Sequence, residues 1–547
     1  MVVINKDNFL QELPGIEAAL QRGKFVSFDL EMTGIFGERN AKDDDVEERY
    51  LKMIPPATKY GIIQIGLSFF EQVDGGGFLA SPYSFFVFPE WGPDLVLSPS
   101  SITFLKKNNM DFNSWIYGSL SFMNEQNAKK MRDQLAQRTG AGGDQQPSSL
   151  MPNRPAEIQQ MNELKEQISQ WAASSSGEVE FEVPAMNAFL RRCVYSYLEI
   201  DQPQLRTRKD ESKPNNIIVC KVTEEQKAAL AVEEENKNKL KLGFRLVWEM
   251  LLAANKPIVG HNSFFDLLFL LRWLDGPLAG NFQTFKSRFN TLFPAGIYDT
   301  KFISNSSGAA ALPGFDASLD DTALGPLYEK VINSNPETAK LLSFASPVFE
   351  YKAEDKQAHD AGYDAYMTGA IFAAALSKLG DEAAKTTWLN KMYLMQSLYN
   401  FSLGPDNEPN NSLRITSGDV WHLSAFAEDT KTQDIEAAFR AAGGGGGGRG
   451  GGGGGGDNEV EVATPLVETV WINGSSAFVV LKAGAATNTE TLPQGWKLIP
   501  LAEFEQARAL RRAPPPAAAA AEQTPGAVAE PIDQPKKKAK VDTCGVL

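Results

Sequence analysis

The chain has 547 residues, a formal net charge of −15 and 43% hydrophobic residues. That length exceeds what one compact core holds, so two to four domains are expected. The acidity excludes a protein that grips nucleic acid by bulk electrostatics; such contacts must rest on local basic patches, stacking or metal ions. Cys193, Cys220 and Cys544 are too few for a disulfide framework or a structural zinc site, and they fit a reducing compartment. No apolar run reaches the roughly 18 residues that span a bilayer, and the opening MVVINKDNFLQELPGIEAAL lacks the plan of a secretory leader.

KFVSFDL (24–30) reads as a buried strand that ends in Asp29-Leu30-Glu31. YGIIQIGLSFF (60–70) and YSFFVFP (83–89) read as further strands, and their loose alternation suits a sheet covered on both faces. Asp29 and Glu31 lie two apart on a strand, so they share a face. Two carboxylates pressed together beside an apolar strand are costly without a cation, although an ordinary Asp-x-Glu at a strand edge reads the same locally.

Around 150–180 the composition shifts to Gln, Ser and Glu, which marks the start of an insertion running to about 240. Within it NAFLRRCVYSYLEI reads as an amphipathic helix, NNIIVCKV as a strand and TEEQKAALAVEEENKNKLKL as a solvated helix. FRLVWEMLLAANKPIVGHN then predicts a helix, a Pro boundary and a buried strand reaching His261. Asp266 falls in the first turn of the next helix, where the helix macrodipole alone would also favour an acid. HDAGYDAYMTGAIFAAAL sets His359 on a loop and Asp364 at the start of a strongly apolar helix.

A smaller C-terminal domain is predicted from SLRIT, the helix DIEAAFRAA, the hairpin VETVWINGSSAFVVLK and LPQGWKLIPLAEFEQARALRR. Gly443–Gly456, broken only by Arg449, satisfies a dinucleotide fingerprint trivially; no strand precedes it, so it reads as a loop or linker. From Ala513 the chain is Pro/Ala-rich and reads as disordered. Within it PKKKAKV (535–541) reads as a nuclear localisation signal or a solvated charge run. Cys544-Gly545-Val546-Leu547 fits a prenylation box, with Gly545 a poor match for an aliphatic position.

Asp29, Glu31, Asp266 and Asp364, with His359, make a donor set for two hard cations such as Mg²⁺. Paired ions would activate water and stabilise a leaving 3′ oxygen, with the imidazole as base. Asp29 is expected to bridge the ions, Glu31 and Asp364 to serve the water side, and Asp266 the leaving-group side.

The ordered set Asp-x-Glu, Asp, His-x4-Asp resembles the DEDDh exonucleases of the ribonuclease-H-like fold. With SSITFLKKNNMDFN, VGHNSFFDLLFLLRWLDGPL, YDTKFISN and LGPDNEP, the chain more narrowly resembles the eukaryotic poly(A)-specific ribonucleases, which are deadenylases, over most of residues 1–510. The resemblance implies an α/β fold: a ribonuclease-H-like mixed sheet flanked by helices, in two parts (1–150 and 244–405). It implies an inserted small α/β nucleic-acid-binding domain at 151–243, of the Arg-x-x-x-His type. Arg191 and Arg192 sit in the matching helix, but Tyr195 and Ser196 occupy the histidine places. It further implies an RRM-like domain at 410–508 carrying the Gly-rich insertion 443–456, then a tail at 509–547.

The implied activity is Mg²⁺-dependent 3′→5′ removal of adenylates from RNA, releasing 5′-AMP. Adenine recognition falls on Ile35 and Lys301, while Met32 stands where the family has an aromatic. Trp471 matches a tryptophan that stacks on the 7-methylguanosine cap, a cation-on-indole contact. The implied partners are the poly(A) RNA 3′ end, the cap and a second copy of the chain, in nucleus and cytoplasm, with no membrane unless Cys544 is prenylated. Two alternatives stand beside this reading: trimming of small non-coding RNA 3′ ends by the same chemistry, and a catalytically silent RNA- or cap-binding protein.

Overall fold

In a computed structural model of the chain, the Ile- and Phe-rich runs join into one mixed sheet. The structure describes residues 2–90, 92–138, 150–174, 179–202, 204–209, 213, 216–305, 311–316, 321–351, 359–405, 407–414, 419–442, 467–481 and 492–512. It divides into two units, Met1–Thr416 and Ser417–Leu547. Among the described residues, no helix is long and apolar enough to cross a membrane.

The first unit opens with β1 (Val2–Ile4), β2 (Phe25–Met32), β3 (Ile62–Gln72), β4 (Phe78–Phe88) and β5 (Leu120–Ser121). After the inserted strands β6 (Glu180–Val183), β7 (Leu205–Lys209) and β8 (Ile217–Lys221), it resumes with β9 (Ile258–Gly260), β10 (Ile297–Asp299) and β11 (Leu342–Phe344). The main sheet runs β1-β4-β3-β2-β9-β10, and β5 and β11 also pair with β4. β3 is antiparallel to both its neighbours, whereas β2, β9 and β10 run parallel. β3 and β4 are buried along almost their whole length because cores lie on both faces, as their pattern predicts.

Alternation along β2 decides what each face receives. Val26, Phe28 and Leu30 point into one core with the helices Phe9–Arg22 and Phe264–Leu270. Phe25, Ser27, Asp29 and Glu31 share the opposite face, which the helix Ala361–Leu379 covers. That helix packs close because its residues are small. A Cβ on Gly369 would lie 2.1 Å from the Phe70 ring, and one on Gly66 would lie 1.8 Å from the carbonyl oxygen of Ala361. Ser27 seals the contact, its hydroxyl donating to the Ala365 carbonyl at 2.6 Å.

The insertion folds its own small core. Helices Pro155–Ala173 and Ala188–Asp201 bury Met161, Ile168 and Val194 against Val183, Ile217 and Val219 of the antiparallel sheet β6-β8-β7. The charged helix Glu224–Leu242 then returns the chain to the main body, where Leu242 meets Met123 and Ala128.

Near the end of the first unit, β12 (Lys391–Tyr393), β13 (Tyr399–Ser402) and β14 (Asn411–Leu413) form a separate antiparallel sheet. Ser412 and Leu413 of SLRIT, expected to open the C-terminal domain, lie here: Asn411–Leu413 pairs with Phe401–Tyr399. The second unit instead starts its sheet with β15 (Asp419–Ser424), followed by β16 (Val467–Asn473), β17 (Ser476–Leu481) and β18 (Lys497–Pro500) in the order β16-β17-β15-β18, all antiparallel. Both candidates are short and half-buried, so hydrophobic pattern alone does not separate them.

Candidate active site

The site is built where the covered face of β2 changes from apolar to acidic. Asp29 pairs with Gly66 and Glu31 with Gln64 across β2 and β3. Gly66 leaves room for the start of the helix Ala361–Leu379 to close over the strand at this point. Gln64 then pins that start: its Nε2 donates to Asp360 Oδ2 at 2.9 Å, and its Oε1 accepts from the Ala361 amide at 3.2 Å. Asp360 caps the helix through its other oxygen, accepting from Gly362 and Tyr363 at 3.0 and 3.2 Å. This fixes Asp364 in the first turn.

His359 precedes the cap with a φ of 69°, and its amide donates to Asp364 Oδ2 at 3.2 Å. Glu31, His359 and Asp364 each offer a ligand atom within 4.8 Å of the others. Asp266 arrives from the far side of β2, in the first turn of Phe264–Leu270, with the Leu30 amide bonding its carboxylate. The turn before it is held by Asp299, whose buried carboxylate accepts from the amides of Asn262 (2.8 Å), Lys301 (2.9 Å) and Tyr393 (2.9 Å).

Electrostatics report the crowding. Asp29 is half-buried, yet its surroundings are largely protein, and burial holds its carboxyl well above the usual range. Repulsion from Asp364, Asp266, Glu31 and Asp360 adds to this. Glu31 is raised in the same way, by burial and then by Asp364, Asp360 and Asp266. Burial pushes Asp364 up to about 7, aided by Asp360 and opposed by the His359 amide. Asp266 also rises to about 7 through burial, with Asp299 adding to it. Burial lowers His359, which favours its neutral imidazole.

The residues fit divalent cations. Asp364 Oδ1 is buried and has no hydrogen-bond partner among the described residues, as expected of an oxygen that serves a metal. The donors are hard carboxylate oxygens, and cations between them would offset both the burial and the mutual repulsion that lift their pKa values.

The pattern of the CAF1 family ribonucleases matches residues 4–372. The chain belongs to the CAF1 ribonuclease family. It is 25% identical over 548 residues to the poly(A)-specific ribonuclease PARN of Xenopus laevis, covering 92% of this chain and 81% of that one. The human PARN is also 25% identical, over 92% of this chain and 80% of its own. The pre-piRNA 3′-exonuclease trimmer of Bombyx mori is 29% identical over 385 residues, 68% of this chain and 70% of its own. The likeness to the deadenylases of the DEDD exonucleases, read from the motifs, is thereby borne out, and the chain is a 3′-exoribonuclease.

The remaining expected residues lie on several elements of the two units. Met32 is half-buried at the end of β2, just past an irregularity in its pairing with β3, and Ile35 is exposed. The Lys301 ammonium donates to the Thr322 carbonyl at 2.7 Å. Trp471, in the second unit, donates its indole N–H to Thr432 Oγ1 at 2.9 Å and meets Phe426 edge-on. Phe478, in the hairpin of the second unit, is fully buried and meets Phe504 of the helix Leu501–Arg512 edge-on. The glycine run, PKKKAKV and Cys544 lie outside the described residues.

Sequence reasoning missed Asp360, Gln64 and Asp299. An acid directly before a small-residue helix is a capping signal that would have found Asp360. A lone glutamine in an Ile-rich strand would have marked Gln64 as a buried polar group needing partners.

Proposed function

We propose that this protein shortens adenylate tails from the RNA 3′ end, one nucleotide at a time, releasing 5′-AMP. The observation that carries it is the convergence of Asp29, Glu31, Asp266, Asp364 and His359 at one strand end in a CAF1 chain. Divalent cations held by the four carboxylates, Mg²⁺ in the cell, would supply the charge that activates water and neutralises the leaving 3′ oxygen. The protein's own groups do the rest. His359 accepts the water's proton on a ring nitrogen, and the Asp360–Gln64 clamp holds Asp364 in place. Met32 and Ile35, just past Glu31, face the terminal base, with Lys301 its polar contact.

The order β4-β3-β2-β9-β10, with only β3 reversed, supports a ribonuclease-H-like sheet. The antiparallel sheet of the second unit supports an RRM-like domain. Burial of Phe478 argues that RNA does not stack on that sheet face, leaving Trp471 as the residue for a cap. A homodimer, and residence in both nucleus and cytoplasm, belong to the same reading.

The 29% identity to the Bombyx mori pre-piRNA 3′-exonuclease trimmer favours a second substrate class, the 3′ ends of small non-coding RNAs. One assay separates the two. 5′-labelled RNAs ending in an adenylate run or in a mixed-sequence run are incubated with Mg²⁺ or with chelator. Tail removal is expected to give a descending ladder that slows where adenylates end, and none in chelator. Equal shortening of both ends would favour the trimmer; internal fragments would overturn exonucleolytic action altogether.

A further inference from the structure

His359 is held differently from the carboxylates around it. Its backbone is fixed, by a left-handed φ of 69° and by the amide bond to Asp364 Oδ2. Its ring has no such anchor: among the described residues neither ring nitrogen has a hydrogen-bond partner. What touches the imidazole is the Phe104 ring, with centroids 4.6 Å apart and planes at 70°.

Phe104 is 45% exposed, so the core gains little from it. Its mounting is nevertheless rigid. It sits on the helix Pro99–Lys107, which is anchored by Leu105, buried with Ile63, Phe86 and Trp115. Just before this helix the Ser98 amide donates to the Thr33 carbonyl at 2.8 Å, two residues past Glu31. The Thr33 hydroxyl in turn donates to the Val96 carbonyl at 2.6 Å. Phe104 is therefore braced against the same strand end that carries Glu31.

We infer that Phe104 is a positioning residue for His359: its ring sets the tilt of the imidazole so that one nitrogen faces the space between Glu31 and Asp364. This rests on the reading of His359 as the base. An edge-to-face contact is a weak but directional restraint on a ring with no hydrogen bond among the described residues. Because about 1 Å of misplacement can cost about 100-fold in rate, a partly freed imidazole is expected to cost about 10-fold.

The test is a cycle of Phe104→Ala, His359→Ala and the double variant, assayed on 5′-labelled adenylate-tailed RNA with Mg²⁺. Phe104→Ala is expected to lower kcat about 10-fold with KM within about twofold of wild type, and to cost nothing further when His359 is already Ala. Phe104→Leu, which keeps the apolar bulk but loses the flat ring, is expected to behave like Phe104→Ala, and Phe104→Tyr to restore the rate. An effect confined to KM, or an equal loss of kcat in both backgrounds, would overturn the inference. Failure of the base reading shows separately, as a His359→Ala enzyme with undiminished kcat, and it removes the inference with it.

Discussion

Asp364 shows how a carboxylate can be built into a buried place and still be wanted there as an anion. One oxygen takes the His359 amide and the other has no partner among the described residues. Replacing Asp364 or Asp29 with Asn keeps the shape and removes the charge. Loss of a residue that merely supports a metal ligand costs about 10- to 100-fold, so losing a ligand is expected to lower kcat by more than about 100-fold. The same variants should melt no lower than wild type in chelator, since the repulsion goes with the charge. Asp299 behaves oppositely. Asp299→Ala leaves the half-buried amides of Asn262, Lys301 and Tyr393 without this acceptor and is expected to lower stability by about 3 kcal/mol, checked by urea unfolding. The acids of the candidate site could be singled out in the sequence because their order and spacing resemble a known motif set. Asp299 could not, because its partners Asn262 and Tyr393 are distant in the chain and meet it only in the fold.

Between elements, the decisive contact is the close approach of the helix Ala361–Leu379 to β2 and β3. Gly66→Ala puts a methyl group where the Ala361 carbonyl sits, so the helix start must move off the sheet. Overpacking of this kind costs roughly 1–3 kcal/mol, and Asp364 moves with the helix. The expected outcome is a lower melting temperature together with a fall in kcat, whereas wild-type kcat would mean the helix start does not set the site. The strands around the site were readable because β2, β3 and β9 are apolar runs bounded by turns. The first strand of the second unit was misplaced to SLRIT because short half-buried strands carry little periodic signal. Burial of Phe478 was also invisible, since an aromatic strand reads alike whether RNA or the helix Leu501–Arg512 covers it.

At the scale of the molecule, the acidic cluster should set how stability responds to pH. A carboxyl held above its ordinary range binds its proton more tightly in the folded state than in the unfolded one. Folding is then favoured in acid, and that contribution is lost as pH climbs from the ordinary value of 3.8 through about 7, the value reached by Asp266 and Asp364. In chelator, the melting temperature of wild type relative to Asp266→Asn is expected to fall across this range, and Mg²⁺ should reverse the fall. A flat difference would mean the fold does not hold the Asp266 carboxyl above its ordinary range. The account turns on whether these side chains hold metal together, and diffraction from Mn²⁺-soaked crystals at the manganese edge tests it most directly. Two anomalous peaks about 4 Å apart, enclosed by Asp29, Glu31, Asp266 and Asp364, are expected. No peak there at saturating Mn²⁺, or peaks only at other acids, would contradict it.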